Sequence, residues 1–186
     1  MNAVLISIQP KYCKLIADGK KTIEVRKTKP NLQMPFKFYI YCAKATFDIT
    51  DIQDLSTDSV RKTADGRGKV IGEFVCDRID EYKYRLTTYE ETPYKGKYIS
   101  KEELSKTCLS IGEINDYLNG KNGYFWHISD LKIYDKPKEL GEFYSIPKSG
   151  SDCCIGCIYH ECRTCTSERK YLYRPPQSWC YVEELE

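Results

Sequence analysis

Val4 to Ile8 alternates, with Val4, Ile6 and Ile8 on one face and Leu5, Ser7 and Gln9 on the other, the period-two pattern of a partly buried strand. Pro10 ends that strand and suits a first helical position. Tyr12, Leu15 and Ile16 then recur at helical spacing up to Gly19, which fits a left-handed residue closing a short helix. Alternation resumes from Thr22 to Arg26, which predicts Ile23 and Val25 in the core and Thr22, Glu24 and Arg26 together on the opposite face. Phe36 to Cys42 is dense in β-formers, and Lys69 to Ile79 carries Val70, Ile71, Phe74 and Val75, so both are expected as strands. The polar stretch from Thr50 to Gly68 reads as an exposed loop or short helix.

Further along, Ser100 with Glu103 and Ser110 with Glu113 are two capping-box patterns, the second leading into Ile114, Tyr117 and Leu118 before Gly120 and Gly123 break it. Tyr124 to Tyr134 predicts a long strand with a bulge or kink near Ser129 and Asp130, ended by Lys136-Pro137. From Ser149 to Cys165 the hydrophobic pattern disappears. Arg174 to Ser178 then reads as a stiff extended segment, and Trp179 to Val182 as a returning strand. Strands at unequal spacing without βαβ alternation predict an α+β chain built on a small mixed β-barrel with short flanking helices. The expected organisation is a core over residues 1–148, a Cys-rich insertion over 149–173 and a closing segment over 174–186.

Composition narrows the possibilities. Over 186 residues, 41% hydrophobic positions and a mean hydropathy of −0.57 exclude intrinsic disorder. No apolar run approaches the ~20 residues needed to span a bilayer, and Met1 to Ile8 is too short for a secretion signal, so a cytoplasmic protein without a membrane partner is expected. With 29 Lys and Arg against 27 Asp and Glu, the chain is no polyanion binder of the histone kind. Positive charge is local: Lys11, Lys14, Lys20, Lys21, Arg26, Lys27 and Lys29 meet only Asp18 and Glu24 near the N-terminus. Lys11 and Lys21 offer point charges for phosphate, Arg26 can fork to phosphate or a base edge, and Thr22 and Glu24 can hydrogen-bond a base. Tyr12, Trp126 and Trp179 are the candidate stacking partners, each worth ~1–3 kcal/mol per base. The competing reading is a solvated hairpin face, on which Glu24 and Arg26 pair for under about 1 kcal/mol and both tryptophans belong to the core.

The ten cysteines divide unevenly. Cys13, Cys42, Cys76 and Cys108 are scattered and read as small buried hydrophobes, while Cys153, Cys154, Cys157, Cys162, Cys165 and Cys180 crowd the C-terminal part. Cys154-x-x-Cys157 and Cys162-x-x-Cys165 each place two thiolates within reach of one metal, so zinc is the expected cofactor and an iron–sulfur cluster the runner-up. The separation between pairs is short, leaving Cys153, His160 or Cys180 as alternative ligands. Four thiolates leave no open position, which makes such a metal structural rather than catalytic. Unliganded thiols on a loosely ordered loop are the alternative.

Ile6 to Arg26, "ISIQPKYCKLIADGKKTIEVR", combines a strand, a Pro-started helix, Gly-Lys-Lys-Thr and a second strand ending in Glu-x-Arg. It resembles the ASCH domain, and "GYFWHISDLKIYDKP" (Gly123 to Pro137) and "RPPQSWCYV" (Arg174 to Val182) resemble the closing strands of the family's phage and prophage members. The resemblance implies a PUA-like barrel with a cleft beside the first helix and a role in RNA or nucleotide recognition. One branch of the family resembles an amidohydrolase that deacetylates N4-acetylcytidine with a Lys, a Thr and a Glu. Lys21 stands in the matching position; where that branch has its Thr, this sequence has Glu24, and the branch's Glu has no counterpart matched here. An enzyme of this kind would use Glu24 as a base activating water while Lys21 steadies the oxyanion. A histidine-pair nuclease is not supported, since His127 and His160 are the only histidines. Three readings thus stand: an RNA- or nucleotide-binding module, an amidohydrolase acting on a modified nucleoside, and a protein-interaction adaptor using the Cys-rich segment and Pro175-Pro176.

Overall fold

The computed structural model describes residues 2–44, 67–83, 99–146 and 170–185. The two Cys-x-x-Cys pairs and His160 lie outside them. The opening elements follow the sequence pattern: β1 (Asn2–Ile8), α1 (Pro10–Ala17), β2 (Ile23–Arg26) and β3 (Phe36–Cys42). Next come β4 (Val70–Cys76) and β5 (Ile79–Tyr82), two strands where one was expected. Helices α2 (Lys101–Thr107) and α3 (Ile111–Leu118) each begin with a complete capping box, Ser100 with Glu103 and Ser110 with Glu113, which satisfies otherwise orphaned N–H groups of each first turn. The expected long strand is also two, β6 (Gly123–His127) and β7 (Ser129–Lys138), and β8 (Tyr144–Ser145), β9 (Lys170–Tyr171) and β10 (Trp179–Glu183) complete the chain.

The strands form a seven-stranded sheet, ordered β7-β4-β3-β1-β10-β8-β9, and a three-stranded sheet, ordered β2-β6-β5. The expected closed barrel is therefore corrected to two sheets, with no strand ladder joining them among the described residues. The cause lies at two breaks. Cys76 to Ile79 and His127 to Ser129 each carry the chain from one sheet to the other, and at the second Asp130 adopts a positive φ of 45°. Pro137 sits inside β7 rather than ending it, which an outer strand tolerates because its missing N–H faces no partner. Lys170 and Tyr171, assigned from sequence to the Cys-rich insertion, pair with β8 in the large sheet.

Strand β1 lies at the centre of the large sheet, parallel to β3 and antiparallel to β10. Both its faces are buried: Val4, Ile6 and Ile8 join Phe38, Phe74 and Trp126 between the sheets, while Ala3 and Leu5 pack with Tyr39, Phe143 and Val182 on the other side. A third cluster, Ile23, Val25, Phe125, Tyr82, Ile114 and Leu118, fastens α3 to the small sheet. On α1 the buried stripe is Pro10, Cys13 and Ile16, with Tyr12 and Leu15 only partly covered, one position off the predicted stripe. Gly19 does adopt a left-handed φ of 69° just past the helix. Gly72 marks a close approach, since a Cβ there would lie 2.5 Å from the Lys132 carbonyl oxygen on β7.

Candidate functional site

Strand β2 is buried on both faces. Ile23 and Val25 point into the third cluster as expected, whereas Glu24 and Arg26, each 6% exposed, turn toward a cavity of about 520 Å³. The solvated-face reading is thereby excluded. Ser7 at the end of β1, Tyr12 from α1, Tyr117 from α3 and Ser178 from the extended segment before β10 contribute walls to the same cavity.

Lys21, just before β2, is almost completely enclosed at 2% exposure. Its Nζ donates to the carbonyl oxygens of Ile23 at 2.9 Å and Thr107 at 2.7 Å, and lies 3.3 Å from Glu24 Oε2. Two hydrogen bonds and one ion pair thus hold the ammonium in place. The second carboxylate oxygen, Glu24 Oε1, is 3.0 Å from Arg26 Nη2, so one buried anion sits between two buried cations. Arg26 Nη2 also donates to the Ser7 carbonyl oxygen at 2.6 Å, and Nη1 to Ser178 Oγ at 3.3 Å. Its Nε is buried without a hydrogen-bond partner among the described residues. A desolvated donor of this kind is costly and unusual, and Arg26 lines the cavity. Burial pushes the Tyr117 phenol above its ordinary range, while the neighbouring Arg26 pulls it down.

The remaining expected residues divide. Lys11 lines the mouth with its ammonium 4.7 Å from the centre of the Tyr12 ring, and Lys21 lies 5.3 Å from the same centre. Thr22 precedes β2 and does not line the cavity; its N–H donates to the Lys106 carbonyl oxygen and its own carbonyl accepts from Ile128. Trp126, expected as a stacking platform, is instead a core residue: it is wholly buried and packs against Phe38 at 4.9 Å. Trp179 lies edge-on to Trp126 and donates through Nε1 to Thr28 Oγ1 at 3.0 Å, outside the cavity. Cys180 sits on β10 beside the second cluster, and burial pushes its thiol up to about 11. Cys13, Cys42 and Cys76 are buried, but Cys108 is only partly covered.

Sequence reading did not anticipate Glu113, Asp116, Tyr117, Gln177 and Ser178 in the walls. Only Glu113 carried a local signal, its capping box; the others reach the site through the packing of α3 on β2 and of the extended segment on β1. They change the electrostatics. Lys11, Lys21 and Arg26 are matched by Glu24, Glu113 and Asp116, so the cavity expected to be cationic has walls of balanced charge.

A split α+β architecture with a cavity beside the first helix is consistent with a PUA-like fold. A family model for the ASCH domain matches residues 6–138, and the chain belongs to that family, a PUA-like RNA-binding family. The chain is similar in structure to the ASCH protein of Zymomonas mobilis and to two single-residue variants of it. Each has a TM-score of 0.53 and 18% sequence identity, with 98% of this chain and 88–91% of theirs covered, which establishes the shared fold. A search of curated proteins finds no match. Among the described residues, no helix is long and apolar enough to cross a membrane, and no cluster of three or more His, Cys, Asp or Glu forms a metal site.

Proposed function

We propose that the protein binds RNA through the cavity beside α1, taking one nucleotide unit against Arg26, Glu24 and Tyr12. The observation that carries this reading is the cavity walled by the buried Arg26–Glu24 pair and Tyr12, in a chain of the ASCH family. A base edge would meet the Arg26 and Glu24 side chains at the wall, and the half-buried Tyr12 ring offers an apolar surface beside them. The rest of the Arg26 fork is held by Ser7, Glu24 and Ser178, so the side chain is positioned before any ligand arrives. The test is a fluorescence-anisotropy titration of a labelled single-stranded RNA. Wild-type affinity should fall with salt, and Arg26→Lys should weaken binding about tenfold, the effect of losing roughly 1.4 kcal/mol. An unaffected Arg26→Lys protein would refute the proposal.

A second reading, hydrolysis of an acetylated nucleoside, is favoured by the 3.3 Å contact between Lys21 and Glu24 at the cavity wall. Glu24 would take a proton from water, the hydroxide would attack the acetyl carbonyl carbon, and collapse would break the bond to N4 as that proton passes to the leaving nitrogen, giving acetate and cytidine. Lys21, held by the Ile23 and Thr107 carbonyl oxygens, would act through its charge. Acetate release from N4-acetylcytidine, abolished in Glu24→Gln, is the required result.

For the Cys-rich segment, spacing supports a structural zinc held by Cys154, Cys157, Cys162 and Cys165. Elemental analysis should give one zinc per chain, and a ratio near zero rejects it.

A further inference from the structure

Balanced cavity walls draw in no phosphate, so a nucleic-acid strand entering the site must be neutralised elsewhere. The segment directly after β2 supplies the means. Lys27 and Lys29 are exposed and make no ion pair among the described residues. Each ammonium sits over a tyrosine ring: Lys27 is 5.1 Å from the centre of Tyr117 and Lys29 5.5 Å from that of Tyr124. An aromatic face holds a lysine in place without neutralising it, so the side-chain ordering that phosphate binding would impose is already partly met.

The backbone beneath these lysines is also fixed. Thr28 accepts from Trp179 Nε1 at 3.0 Å, and the Asn31 N–H donates to Tyr181 Oη at 2.8 Å, tying the segment to β10. The track begins at the cavity itself, because Tyr117 lines it and Arg26 immediately precedes Lys27. Two carboxylates border it, Asp116 beside Tyr117 and Glu81 opposite Tyr124 across the small sheet. They limit the field to close range, which favours contact with a strand already engaged over long-range capture of any polyanion.

We propose that Lys27 and Lys29, seated on Tyr117 and Tyr124, form a phosphate track that holds the backbone of single-stranded RNA leaving the cavity. This rests on the cavity reading above and adds to it a direction, from Arg26 along residues 27–29, and a partner longer than one nucleotide. The cavity and the track have different jobs: the first takes a base, the second takes charge.

The experiment compares wild type, Lys27→Gln/Lys29→Gln and Arg26→Lys with two probes, a mixed-sequence single-stranded RNA decamer and cytidine. Both track positions are exposed, and thermal melting checks that each variant is folded. Each phosphate neutralised on a single strand contributes about 0.7 to the salt slope. The double variant should therefore bind the decamer with a slope shallower by about 1.4, and its loss of affinity between about 50 and 200 mM salt should shrink about sevenfold. Cytidine binding should be unchanged. An unaltered decamer slope in the double variant overturns the track, while about tenfold weaker binding of both probes by Arg26→Lys in the same experiment leaves the cavity reading standing. If Arg26→Lys binds both probes with wild-type affinity, the cavity reading fails and the track leading from it falls with it.

Discussion

Lys21 Nζ lies 2.7 Å from the carbonyl oxygen of Thr107, a residue 86 positions later that ends α2. The buried ammonium is therefore a cross-link between the start of β2 and the end of α2, as well as a charge beside Glu24. Lys21→Met is expected to lower stability by about 3–5 kcal/mol, because it removes two buried hydrogen bonds and leaves Glu24 with one cation. Urea denaturation measures this; a change under about 1 kcal/mol would mean the pair contributes little.

Glu24→Gln tests the opposite end of the triad. It keeps the shape but leaves Lys21 and Arg26 as neighbouring buried cations without their shared anion. Stability should fall by a comparable ~3–5 kcal/mol, and the double change Lys21→Met/Glu24→Gln should cost less than the sum of the two single changes. Additive losses would contradict direct coupling.

Ser110→Ala is expected to cost about 1 kcal/mol through loss of the α3 cap. Hydrogen bonds from the Ser110 N–H and hydroxyl hold the Glu113 carboxyl below its usual range. A depressed carboxylate stabilises the fold above its ordinary pKa, and that contribution is lost as pH falls through the lowered folded value. The difference in melting temperature between wild type and Glu113→Gln, which carries no titrating carboxyl, should therefore be full at neutral pH and shrink on acidification below about 4. A pH-independent difference would contradict the role given to Glu113.

Burial protects three of the described thiols, while Cys42, also buried, is held below its ordinary range by its hydrogen bond with Cys13. Burial raises the Cys13 thiol and pushes Cys76 and Cys180 up to about 11, while Cys108 is partly exposed. Alkylation at neutral pH, read by peptide mapping, should modify Cys108 before Cys13, Cys76 or Cys180. Early labelling of Cys13 would show that α1 does not stay packed on the large sheet.

Much of this architecture is legible locally. Alternation placed Glu24 and Arg26 on one face of β2, glycine chemistry closed α1, and two Ser-x-x-Glu patterns marked α2 and α3. The failures have a common physical origin in long-range packing. Alternation could not show that Glu24 and Arg26 would be enclosed, because α3 and the segment holding Ser178 close over them from distant parts of the chain. Trp126 looked available for stacking for the same reason; its face becomes interior only when the small sheet packs against Phe38 on β3. The turn at His127 to Ser129 was readable as a kink, yet the change of sheet that prevents barrel closure depends on which partner strands await each half.

The central claim is that the cavity beside Arg26 receives a nucleotide unit, and a co-crystal structure with a short single-stranded RNA tests it most directly. A base or ribose in the cavity, hydrogen-bonded to Arg26 or Glu24 and with the backbone leaving past Lys27, is the predicted result. RNA bound on another face, with the cavity occupied only by water, would contradict it.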